Sequence, residues 1–313
     1  MKIQEIYQKA IEMGIDADFR SKEDVAKVLG RNKKKFEKLS EEQKKEFDQE
    51  SLTNPYSDTR VLHIAEDKEI KKVMVGIDIE PAELLIAKQL GDIDLVISHH
   101  PIGRALADMH EVMELQADLY SKYGVPINVG EALTKERLGE VARGVNPRNN
   151  WRTVDAARIL NMNLMCLHTV ADNISGNFVR EKLEAGAPEQ LEDLMKVLSD
   201  IEEYKEAILR GVGPRIFVGN LENRCGKILV NMTGGTDPSP KMYERIGHAG
   251  IGTVVDMHVA EDAKKEAETA HLNVVVAGHM SSDSIGMNLI LDELKKQGME
   301  IVPCGGLFRI SRT

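Results

Sequence analysis

The segment "DLVISHHPIG" (residues 94–103) ends an apolar run with His99, His100 and then a proline. Two further apolar runs end the same way, "LMCL" in His168 and "NVVVAG" in His279. A carboxylate follows each of these four residues on, Asp172 in "HTVAD" and Asp283 in "HMSSD". Imidazole and carboxylate donors without thiolate suit a divalent zinc, iron, manganese, cobalt or nickel ion in an open, water-accessible site. His99, His100, Asp172, His279 and Asp283 supply enough donors for two ions if a carboxylate bridges them. Two such ions would polarise a substrate oxygen and lower the pKa of a bridging water. One strand-end histidine is equally explained by a structural hydrogen bond. Three strand ends, two with carboxylates attached, are harder to explain that way.

The elements that must position these groups alternate. "VMVGIDI" (73–79), "DLVIS" (94–98), "VPINVG" (125–130) and "LMCLHTV" (164–170) read as buried strands. "PAELLIAKQL" and "HEVMELQADLYSKYG" read as helices between them. A helical stretch from Pro188 to about Arg210 ends in the breakers of "GVGPRIFVG". The strand pattern then resumes through "KILVNMT", "TVVDMHV", "NVVVAGH" and "EIVPCG". The fold class is therefore α/β: two α/β lobes joined by a helical connector, plus an N-terminal helical extension. The expected divisions are a helical extension over 1–50, a first lobe over 51–185, a helical connector over 186–214 and a second lobe over 215–313. Ligands in open α/β sheets bind at strand C-terminal ends, where the histidines fall.

Composition bounds the reading. The 313 residues are 42% hydrophobic and 29% charged, with a net charge of -10, which argues against binding a phosphate backbone by bulk electrostatics. Nucleic acid is not an expected partner. Cys166, Cys225 and Cys304 form no CxxC pair, which argues against a disulfide framework or a thiolate zinc site. The N-terminus lacks a signal-type apolar core and no run approaches a membrane span, so a cytoplasmic protein without a membrane partner is expected.

"ISHHPI", "HTVAD" and "GHMSSD", in that order, resemble the signature segments of the Nif-three-like dinuclear metal-binding family, some members of which carry the label GTP cyclohydrolase I type 2. The resemblance runs from about residue 57 to the C-terminus. It implies a two-lobed α/β protein with a dinuclear site in a cleft, often assembled as a homo-oligomer, a toroidal hexamer. It implies His99, His100, Asp172, His279 and Asp283 as ligands, with Asp172 and the final carboxylate bridging or shared. The last acid is usually Glu and here is Asp283, and the first 50 residues lie outside the family core. The resemblance sets His168 beside the site, facing substrate or supporting a ligand.

Other residues are candidates of a weaker kind. His258, in "VVDMHVAED", could line the cleft as a general acid or base, or be structural. "MTGGTDPSP" could cradle a phosphate or form a tight turn in which Asp237 or Ser239 caps the next helix. Asp78 could face the cleft or cap the helix at Pro81, and Cys304 could touch a metal. The expected function is binding of two divalent ions of unassigned identity by a hydrolase of small phosphate esters or nucleotides, with His168 and His258 as catalytic candidates and a small-molecule substrate. The alternative is a non-enzymatic metal-handling or regulatory protein. A metal-free nucleotide-binding module is disfavoured by the missing glycine fingerprint.

Overall fold

The computed structural model describes residues 1–313. Nine strands form two sheets. The first comprises β1 (Arg60–His63), β2 (Lys72–Gly76), β3 (Leu95–Ser98), β4 (Leu164–Cys166) and, from the far end of the chain, β9 (Glu300–Cys304), ordered β1-β4-β3-β2-β9. The second comprises β5 (Arg215–Val218), β6 (Lys227–Asn231), β7 (Ile251–Asp256) and β8 (Asn273–Val276), ordered β5-β8-β7-β6. Both follow one plan: β1 runs antiparallel to β4 as β5 does to β8, and the other pairings are parallel. In register, Ser98 lies opposite Gly76 and Cys166, and Asp256 lies opposite Asn231 and Val276. Ser98 and Asp256 thus hold equivalent places, as do His100 and His258 two residues on.

Two long helices, Thr169–Gly186 and His279–Lys296, follow β4 and β8 and pack on each other. Their contact is reciprocal. The Ser175 hydroxyl donates to the Ser282 carbonyl at 2.7 Å, while a Cβ on Gly286 would stand 2.0 Å from the Ala171 carbonyl oxygen. A side chain there would force the helices apart, so glycine fixes their approach.

Several expected boundaries change. β9 lies beside β2, so the second half of the chain does not form one lobe over 215–313. "VPINVG" opens the helix Ile127–Val145, whose buried residues Gly130, Thr134, Val141 and Val145 recur at helical spacing. β1 and β5 were not expected; both are short edge strands fixed by antiparallel partners rather than by apolar runs. The stretch after Pro188 is two helices, Leu191–Ser199 and Glu202–Leu209.

The N-terminal residues are not a detached extension. Ile3, Ile6, Tyr7, Ala10 and Ile11 of the helix Ile3–Asp16 are buried in the same core as β2, β3 and the two long helices. Only the next two helices have the character expected of a solvated face: Lys22–Glu37, with Val25 its one buried residue, and Glu41–Glu46, with none. No helix is long and apolar enough to cross a membrane.

Candidate metal centre

Backbone hydrogen bonds hold the double histidine in place. The amides of His99 and His100 donate to the carbonyls of Gly76 and Ile77, each at 2.9 Å, so the chain leaving β3 stays clamped to the end of β2. The buried Cys166 thiol donates to the His99 carbonyl at 3.2 Å. Each ring is then oriented through Nδ1: His99 by the Leu167 carbonyl at 3.1 Å, His100 by Asp78 at 2.7 Å, and His168 by Asp58 at 2.8 Å. An Nδ1 that donates leaves Nε2 with a free lone pair, the arrangement a ligand needs.

Those lone pairs converge on two carboxylates. His99 Nε2 lies 3.5 Å from Asp172 Oδ1 and 3.4 Å from Asp283 Oδ1. His100 Nε2 and His279 Nε2 lie 3.3 and 3.6 Å from Asp283 Oδ2. Donor atoms of His99, His100 and Asp283 form one group able to hold an ion, and those of His99, His168 and Asp172 form another. Four of the five residues expected as ligands fall in these groups and His168 joins one directly, whereas His279 lies outside both, reaching only Asp283 Oδ2 at 3.6 Å. Asp172 and Asp283 are 5% and 1% exposed, yet His99 Nε2, Asp172 Oδ1 and both oxygens of Asp283 lack a hydrogen-bond partner. An unpartnered buried polar group costs about 1–3 kcal/mol, more if charged. Four in one pocket are what a cation would satisfy, and the nitrogen and oxygen donors fit a borderline divalent metal.

The electrostatics agree. Burial opposes the charged form of His100, but Asp283 and Asp78 outweigh it and raise the pKa to about 10. Burial, against the pull of His168 and His99, raises Asp172 to about 6. Burial resists ionisation of Asp283 as well, yet the surrounding imidazoles hold it well below the ordinary carboxylate range. His279 is lowered to about 4, by burial first and by neighbouring imidazoles, so it offers a neutral ring at neutral pH. Without a metal, a proton on His100 supplies part of the positive charge that the carboxylates require.

Comparison with solved structures yields a NIF3 superfamily protein from Sphaerobacter thermophilus, 29% identical over 80% of this chain and 92% of that chain, with a TM-score of 0.74. In sequence and fold the chain is similar to this NIF3 superfamily protein. Reduced HcgD from Methanocaldococcus jannaschii shares the fold, at 17% identity over 84% of this chain and 94% of that one, with a TM-score of 0.50. No protein-family model and no curated protein matches the chain.

Opposite the double histidine, the second lobe of this chain supplies a related pair. His258, equivalent in place to His100, bonds through Nδ1 to Asp237 at 2.7 Å, and its ring lies edge-on to His279 with centroids 4.9 Å apart. Burial lowers its basicity, but Asp237 and Asp256 outweigh that and raise its pKa to about 9. A cleft of about 390 Å³ joins this dyad to the metal centre. Asp237 therefore does not cap the next helix, which begins at Met242 without a side-chain cap. Nor does Asp78 cap the helix at Pro81, whose cap is Glu80. Cys304 packs near Gly76 in β9, outside both ligand groups. Sequence reasoning missed Asp58: it is fully buried, accepts from His168 and Thr169, and stands 110 residues before the ring it orients.

Proposed function

We propose that this protein binds two divalent ions and hydrolyses small phosphate esters or nucleotides. The four buried, unpartnered donor atoms of His99, Asp172 and Asp283 carry the reading. Asp283, with imidazoles on both oxygens, is the natural bridging group. His99, His168 and Asp172 would complete one ligand set, with His100 and His279 on the other side of Asp283. When bound, the ions supply Lewis acidity and a water acidic enough to attack at neutral pH. The chain's own residues do the rest. Asp58 and Asp78 hold the tautomers of His168 and His100, and Asp237 holds His258 with Nε2 free for proton exchange with a group bound in the cleft.

The test is a metal titration followed by assay on a panel of phosphomonoesters, phosphodiesters and nucleotides. Two ions per chain are expected, with turnover that Asp172→Asn abolishes together with metal binding. Full metal retention and activity in Asp172→Asn would refute the reading. The near-complete burial of His99 and Asp283 favours a second one, a protein that retains ions without turning over substrate. Tight binding of two ions with no turnover on any ester would select it.

A further inference from the structure

The metal centre has a second cavity at its back. Counted out to its open mouth it spans about 420 Å³, and it shares Asp172, Met232 and Thr233 with the cleft described above. Thr233 lines both, and its hydroxyl donates to Oδ1 of Asn173, which lines the second. The cleft toward His258 is acidic, carrying Asp172, Asp237, Asp256 and Asp283. The second cavity differs: apolar residues such as Phe19, Leu119 and Val230 make up nearly half of its lining, Asp172 is its one acid, and its polar side is formed by Lys122, Arg180, Asn173 and Asn177.

The helix Thr169–Gly186 sets the dimensions. Asp172, Gly176 and Arg180 recur every fourth residue and so share one face, all three lining the cavity. Eight residues separate Asp172 from Arg180, a backbone rise of about 12 Å along the axis. Gly176 adds no side chain to the floor between them. The present partners of the two cations are exchangeable. Arg180 pairs with Glu184 at 2.9 Å, with the Glu184 side chain 61% exposed, and also donates to Asn177 Oδ1 in the cavity lining, while Lys122 donates to the Phe19 carbonyl at 3.0 Å. A surface pair of this kind contributes little and yields readily to a multiply charged anion.

We propose that this cavity is an anion subsite, in which Lys122 and Arg180 hold a phosphate group of the substrate while its reacting end lies at the metal centre. This rests on the hydrolase reading and narrows it, to esters that carry a second phosphate at a distance set by the helix. It gives a chain of net charge -10 a local means of attracting an anionic substrate to one side of its centre.

The probe is inorganic phosphate, titrated calorimetrically into the full-length, chelator-treated chain, where no ion can ligate it. The wild type should bind one phosphate per chain. Lys122→Gln/Arg180→Gln should weaken this by at least about tenfold, the loss of one charge-assisted contact or more. Both residues are at the surface, and the double variant should match the wild type in divalent-metal stoichiometry. Absence of phosphate binding in the wild type, or unchanged affinity in the double variant, would overturn the subsite. Failure of the wild type to take up metal would instead sink the hydrolase reading, so the two failures are distinct.

Discussion

Asp283 bears the largest share of the site's electrostatic demand, since both its oxygens are buried, unpartnered and faced by three imidazoles. Asp283→Asn keeps the shape and removes the charge, so metal content should fall below one ion per chain by elemental analysis. Asp283→Glu, which restores the acid usual in the family, should retain most of the metal. An unchanged stoichiometry in Asp283→Asn would show that the residue serves only its helix. The pH response follows from His100. With a pKa of about 10 in the metal-free chain, it is protonated at pH 8, and a ligand nitrogen must be unprotonated. Metal uptake at pH 8 should therefore release protons, and apparent affinity should weaken as pH falls from about 10. Calorimetry in buffers of different ionisation enthalpy reads the proton count, and zero release would remove His100 from the ligand set. Residue types and strand-end positions made the five candidate ligands legible in the sequence, four of which fall in groups able to hold an ion. Asp58 was not legible, because its role depends on a contact across 110 residues rather than on any local pattern.

At the scale of elements, the site joins the end of β3 to two helices that start at the ends of β4 and β8 and carry His168 with Asp172 and His279 with Asp283 near their N-termini. The Gly286 contact with Ala171 holds those N-terminal segments together. Gly286→Ala should thus lower stability by about 1–3 kcal/mol, the usual cost of overpacking. It should also weaken metal binding, although residue 286 offers no donor atom. Thermal unfolding and metal titration read the two effects, and a loss of stability with metal affinity intact would separate the helix contact from the site. The central strands were legible because β2, β3, β7 and β8 are buried apolar runs. "VPINVG" was not, since six residues with apolar Val125, Ile127 and Val129 alternate like a strand while the helical stripe becomes visible only over the next fifteen. The equivalence of the two sheets was also hidden: it resides in pairing and register, and the strands share no sequence motif beyond apolar character.

For the molecule as a whole, the decisive correction concerns the first 50 residues. Their position before every ligand, and their charged middle section, suggested a dispensable extension. The structure ties them to the centre by two routes. Ile3, Ile6 and Ile11 are at most 2% exposed within the main core, and replacing one such side chain by alanine costs about 2–5 kcal/mol. The second route is polar. The buried Asp18 carboxylate pairs with Arg20 at 2.8 Å and accepts from the Tyr56 hydroxyl at 2.8 Å, which in turn accepts from Asn173, the neighbour of Asp172. Farther along, Asp48 and Glu50 pair with Arg60, a side chain 2% exposed at the start of β1, two residues after Asp58. Deleting residues 1–50 would expose core apolar surface, strand the Arg60 guanidinium without its acids and release the support behind Asp172 and His168. The truncated chain should therefore be insoluble or unfold far below the full-length protein, and any soluble fraction should hold less metal. A less drastic variant separates the two routes: Ile6→Ala should lower thermal stability with metal stoichiometry retained, whereas Asp18→Ala should weaken metal binding as well. A soluble 51–313 chain with unchanged unfolding temperature and metal content would restore the view of the N-terminus as an appendage.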